Sequence, residues 1–215
     1  MWNSQVIIML LEGIRDTLYM TLASTLFGYI IGLPMGIVLT VTDKDGIRPN
    51  AAVYKVLDVI SNLLRSIPFI ILLIVLIPFT RFVVGRSYGS TATIVPLTIA
   101  AAPYIARMVE SSLKEVDAGV IEAARSMGAS DFQIVTKVML VEARTSLIVG
   151  ATISLGTILG YSAMAGTVGG GGLGDIAIRY GYTRWQTDIM VVTVVLLVIL
   201  FQIFQTIGMK IANRL

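Results

Sequence analysis

Apolar residues run along this chain in long unbroken tracts instead of alternating or recurring as one stripe. Asp, Glu, Lys and Arg are absent from residues 17–42, 66–80, 87–106, 145–174 and 189–209. A helix needs about 20 apolar residues to cross the ~30 Å hydrocarbon core of a bilayer. Four tracts meet that length outright, and the second meets it when it starts near Val59 and Arg65 snorkels from the membrane boundary. The pattern therefore predicts an all-α, polytopic membrane protein, a single domain over 1–215. Its five spans fall at 17–42, 59–80, 87–106, 145–166 and 189–209. The first tract is too long for a cleavable signal and lacks a positive segment before it.

Proline and glycine refine this picture. Pro34, Pro68, Pro78, Pro96 and Pro103 lie within the spans, where each removes a helix hydrogen bond that neighbouring helices must help to replace. Kinked, closely packed helices are expected. Gly28, Gly32 and Gly36 recur every four residues, as do Gly156 and Gly160, so another backbone can approach both faces, either inside one subunit or across a subunit interface.

Composition excludes most chemistry. The chain is 56% hydrophobic and only 13% charged, against roughly 25% charged residues in soluble domains, and its mean hydropathy is +0.87. It contains neither histidine nor cysteine, which removes disulfides, zinc and haem ligation, and nucleophiles or bases built on those residues. The formal charge of +3 is more useful for topology than as a sign of nucleic-acid binding. One side carries Lys44, Arg48, Lys55, Arg107, Lys114, Arg125, Lys137, Arg144, Lys210 and Arg214, the other Arg15, Arg81, Arg86, Arg179 and Arg184. The excess of cations on the cytoplasmic side of membrane proteins then places the C-terminus inside and the N-terminus outside.

The span centres carry no ionisable group, unlike proton-coupled carriers, which bind and release charge there. No G-x-x-x-x-G-K-[ST] motif offers a phosphate cradle. Any ATP-driven work must draw on another polypeptide. The tract GTVGGGGLG, 166–174, follows a span and lacks a lysine, so it reads as a structural turn, a flexible loop, or a hinge beside a gate.

Residues 107–144 separate the third and fourth spans and have helical periodicity. Val120, Ile121, Ala124 and Met127 precede Gly128, and Ser130 is placed to cap a second helix bearing Phe132, Val135, Val138 and Met139. A helix, a glycine turn and another helix are predicted, lying on lipid or docking on a protein.

Here the residues carry a resemblance. EAARSMGAS, from Glu122, Ala123 and Ala124 to Gly128, with Val138 and Leu140 following at the same spacing, resembles the EAA loop of bacterial ABC importer permeases. Val138 stands where that motif has Ile, and Val141 where it has Pro. The stretches RSIPFIILLIVLIPFTRFVVG, IVPLTIAAAPYIARMVE and GYSAMAGTVGGGGLGDIAIRYGY resemble the methionine-importing branch of that family from about Gly13 to the last span.

The resemblance implies a type I ABC importer permease fold, two copies forming the path, and two copies of an ABC ATPase subunit that bind ATP and Mg. It further implies a periplasmic or lipid-anchored methionine-binding protein and a location in a bacterial inner membrane. No cofactor or metal is expected in this chain, nor any enzymatic activity of its own. Glu122, Ala123, Ala124, Met127 and Gly128 would form the ATPase-coupling helix, and Glu122 reads alternatively as a solvated helix-start carboxylate. Tyr161, Ser162 and Met164, beside the glycine tract, are the expected translocation gate, and Met164 reads alternatively as ordinary packing. Other readings are an importer of another amino acid or a quaternary amine, a stand-alone carrier, or a scaffold.

Overall fold

The computed structural model describes residues 4–215 as a bundle of helices whose long members run end to end. Helix α1 (Ser4–Thr42) leads into α2 (Ala51–Ser66), α3 (Phe69–Val75), α4 (Ile77–Val84) and α5 (Ser90–Lys114). Next come the short α6 (Ala118–Ser126) and α7 (Asp131–Gln133), a π-helical stretch (Ile134–Met139) and α8 (Leu140–Glu142). Helix α9 (Arg144–Ala165) leads through a 3-10 turn to α10 (Gly172–Ile176), a second π-helical stretch (Ala177–Tyr182) and α11 (Thr187–Ala212). Four of these segments are long and apolar enough to cross a membrane, and five if the bent pair α2–α3 counts as one.

Helix α1 has 39 residues, about 58 Å at 1.5 Å per residue, so it starts well before the apolar tract and outreaches the hydrocarbon core. The stretch 59–80, expected as one span, is instead broken twice. Ile67 is extended (ψ 124) ahead of Pro68, because the proline ring disfavours the helical conformation of the residue before it. There α2 and α3 meet at 102°. A second break follows at Leu76, where Pro78 occupies the first turn of α4 and its missing N–H is harmless.

The centre of the bundle is the pairing of α1 with α5. Gly28, Gly32 and Gly36 are buried and face α5. A Cβ on Gly32 would stand 2.6 Å from the Ala102 carbonyl oxygen and 2.9 Å from Ile105, and one on Gly36 2.5 Å from the Ala106 oxygen. This glycine stripe therefore serves packing within the subunit. Gly156 packs on Phe201 of α11 in the same way, whereas Gly160 has open space around it.

The glycine tract is a packed turn and not a loose loop. Gly169, Gly171 and Gly172 have positive φ, a conformation that costs glycine little. Gly169 accepts a hydrogen bond at its carbonyl from Gly89 N–H (2.9 Å), and Thr17 Oγ1 accepts one from Leu173 N–H (2.9 Å). Thr17 is 1% exposed, so Thr17→Val strands a buried amide. Loss of about 1–3 kcal/mol is expected, read as a lower unfolding temperature of the purified chain, and an unchanged temperature would refute that role.

Candidate functional site

At the end of the bundle opposite the glycine tract, α6 stands out as a short helix with both ends chemically closed. Asp117 caps its start by accepting from Gly119 N–H (2.8 Å). At the other end Gly128 N–H donates to the Arg125 carbonyl (3.0 Å) and Ala129 N–H to that of Ala124 (3.1 Å). Gly128 has φ +83. This paired closure through a left-handed residue satisfies carbonyls that the helix end would leave free. Ser130 then caps the next segment, with a reciprocal bond to Gln133.

The two faces of α6 differ. Ala124 is buried in the core and Ile121 packs against it, while Glu122 and Ala123 are exposed. Val120 is 41% and Met127 83% exposed, and Phe132 in the following turn 76%. The spacing places Phe132 with Val135, Val138 and Met139 along one regular helix. It turns outward instead, while Val135 and Met139 are buried in a π-helical stretch. Among the expected coupling residues, Glu122, Ala123, Met127 and Gly128 thus lie on the surface and Ala124 does not. Phe132 joins the outer set, a position that periodicity alone could not reveal because the helix type changes there.

Behind α6 lies a polar cluster that the apolar windows ended too early to disclose. Residues 107–114, expected in the loop, form the last two turns of α5. Glu110, with its side chain 5% exposed, meets Arg107 at 2.7 Å and Lys114 at 2.8 Å. Tyr54 OH donates to Glu110 (3.3 Å). Arg107 also pairs with Asp58, and Lys114 with Asp43 at 2.6 Å. The Lys114 hydrogen bond, aided by Lys44, holds the Asp43 carboxyl below its ordinary pKa. That pair is therefore intact at neutral pH, and its contribution is lost only as pH falls through the lowered value. Arg125 adds a bond to the Ile47 carbonyl (2.7 Å). At this end of the bundle α1, α2, α5 and α6 are thus joined by charged and polar contacts.

The three expected gate residues do not converge. Tyr161 stacks on Phe69 with ring centres 4.6 Å apart and planes within 4°. Met164, three residues on, is 53% exposed. Ser162 is 1% exposed and donates to the Leu159 carbonyl of its own helix (2.8 Å), so it faces into the subunit. Among the described residues no group of three or more acidic side chains could hold a metal ion.

Residues 19–214 match the profile of a family described as binding-protein-dependent transport system inner membrane component. The probable D-methionine transport system permease protein of Vibrio cholerae is 48% identical over 206 residues, covering 96% of this chain and 92% of the relative. The D-methionine transport system permease protein of Escherichia coli K12 is 54% identical over 158 residues, 74% of this chain and 73% of the relative. An inward-facing structure of the MetNI methionine ABC transporter has a chain that superposes with a TM-score of 0.97 at 50% identity, over 99% of both chains. An amino acid ABC transporter solved with histidines matches at a TM-score of 0.80 and 20% identity, over 98% of this chain and 96% of that one. The latter shows likeness of fold alone.

Proposed function

The chain belongs to the binding-protein-dependent transport system inner membrane component family, and on that premise we propose that it is the membrane-spanning subunit of an ATP-driven methionine importer. It is a permease and catalyses no covalent step. Its fold is that of a type I ABC importer permease. Two copies line the path, a separate ATPase binds ATP and Mg and hydrolyses the nucleotide, and a methionine-binding protein delivers substrate at the glycine-tract end. The excess of Lys and Arg at the α6 end supports a cytoplasmic location for that end.

One observation of geometry carries the reading: α6 is a closed, separately capped helix that, with Met127 at its cap and Phe132 in the segment that follows, presents Val120 and Ala123 outward beside Glu122. An exposed apolar group rimmed by polar residues fits a protein interface. Movement of that interface by the ATPase is transmitted through Arg125 and the polar cluster to α1, α2 and α5. Tyr161 and Met164, which lie three residues apart on one side of α9, form the gate near the opposite end; Ser162 supports α9 from within.

The test is copurification of a tagged chain with its ATPase, joined to uptake of labelled methionine. Met127→Glu together with Phe132→Glu alters only exposed side chains. Loss of the ATPase and of uptake by more than about tenfold is expected, as for central interface residues. Full retention of the ATPase by this variant would refute the docking role. Competition by unlabelled amino acids and quaternary amines identifies the solute: uptake blocked by another solute and not by methionine would refute the substrate assignment.

A further inference from the structure

Arg65 borders a cavity of about 220 Å³ together with Phe69, Leu72, Ala100, Tyr104 and Tyr161. It has no hydrogen-bond or ion-pair partner among the described residues. Arg107, three residues beyond Tyr104 on α5, shows the contrast, since Asp58 and Glu110 both neutralise it. The bend at Ile67 and Pro68 brings Arg65 to the cavity, because it ends α2 one residue after Arg65 and turns the chain by 102°. Tyr104 lies fourteen residues into α5, about 21 Å along it, which sets the cavity within the depth of a bilayer. Arg65 itself is exposed, so its guanidinium stands at the mouth of the cavity, and an arginine without a counter-charge beside an aromatic wall is placed to take an anionic group.

We propose that this cavity is a transient substrate subsite in which the Arg65 guanidinium binds the α-carboxylate of an amino acid with an apolar side chain. The inference rests on the importer reading and specifies where solute pauses. A guanidinium presents a planar fork that matches a carboxylate with two parallel hydrogen bonds. No carboxylate lines the cavity, so a substrate ammonium is met by the aromatic wall of Tyr104 and of Tyr161, whose other face is stacked on Phe69, and aromatic faces attract cations. A thioether side chain finds Phe69 and Leu72 at the same wall, and sulfur packs favourably on aromatic rings. A second basic group on the solute would meet Arg65 with no acid to offset it, so lysine-like solutes are disfavoured. The fork grips the carboxylate whatever the configuration at the α-carbon, so both enantiomers of methionine fit. A single charged contact is also weak enough to let the solute leave, as conduction demands.

The test measures binding of labelled L-methionine to the permease–ATPase complex in nanodiscs, with the binding protein left out, beside ATP-driven uptake by the complete wild-type system. Arg65→Gln is expected to weaken binding by about tenfold or more, the scale of a lost charge-assisted hydrogen bond. Arg65→Lys, which keeps charge but loses the fork, falls between. Ala100→Leu fills the cavity without touching the charge and must weaken binding as well. D-methionine competes as L-methionine does, and methioninol, which has no carboxylate, does not. Wild-type affinity in Arg65→Gln, or effective competition by methioninol, would overturn the subsite while uptake by the wild type leaves the importer reading standing. Absence of methionine uptake by an assembled, ATP-hydrolysing wild type would overturn both.

Discussion

Glu110→Ala is expected to destabilise the chain by about 3–5 kcal/mol, the range for breaking a buried ion pair by removing one partner. The side chain is 5% exposed and is shared by Arg107 and Lys114, with Tyr54 as a third donor. Its removal leaves Arg107, 18% exposed, with one carboxylate where it had two. Lys114 is 41% exposed and can turn to water, so most of the loss falls on Arg107 and on the α2–α5 contact. Glu110→Gln keeps the volume and an acceptor for Tyr54 and should cost less. Lys44→Ala is the control, because the Lys44–Asp45 pair is more than 80% exposed on both sides and such pairs contribute little. Thermal unfolding of the purified chain decides: equal midpoints for Glu110→Ala and Lys44→Ala would overturn the account. The loss would also reach coupling, since α6 begins four residues after Lys114 and is anchored through this cluster.

Gly32→Leu should yield no folded chain, the second large effect. The Cβ alone would lie 2.6 Å from a backbone oxygen of α5 and 2.9 Å from Ile105, and the backbone oxygen belongs to a helix that cannot give way locally. Adding atoms to a full core costs about 1–3 kcal/mol in mild cases, and Leu adds four carbons where α1 and α5 already touch backbone to backbone. Even Gly32→Ala must push α1 and α5 apart. Gly160→Ala meets nothing within 4 Å and should match the wild type, gaining slightly from helix propensity. Recovery of monodisperse protein in detergent separates these cases, and normal yield of Gly32→Leu would refute the close packing. The two glycine series look alike as sequence spacings. What lies opposite each glycine distinguishes them.

Much of the arrangement around α6 is legible in the chain itself. Ser130 reads as a cap from its chemistry and position, and Gly128 as the break between helices. Both depend on hydrogen bonds to residues within five positions, which local sequence specifies. Phe132 departs from the face of Val135 and Met139 for the complementary reason. Grouping the three by spacing assumes 3.6 residues per turn, and the π-helical stretch from Ile134 to Met139 alters which residues share a face. The Arg65 cavity was hidden in another way. Its walls come from Phe69, Tyr104 and Tyr161, positions separated by dozens of residues, and the bend that joins them reads in the sequence as one proline among five.

By itself the sequence determined that this is a multi-span helical membrane protein with neither histidine nor cysteine, that its basic loops share one side, and that a capped helix–glycine–helix segment follows the third span. Each of these depends on transfer of apolar residues into lipid or on short-range hydrogen bonding, quantities that add up along the chain. Only the tertiary structure decided which glycines pack, that α5 carries Arg107 and Glu110 inward to meet Asp58 and Tyr54, that Ser162 faces the core while Met164 does not, and that Arg65 stands unpaired beside an aromatic cavity. Those outcomes turn on which distant surfaces meet. Packing and charge pairing act across space, between residues whose separation along the chain carries no signal of their contact.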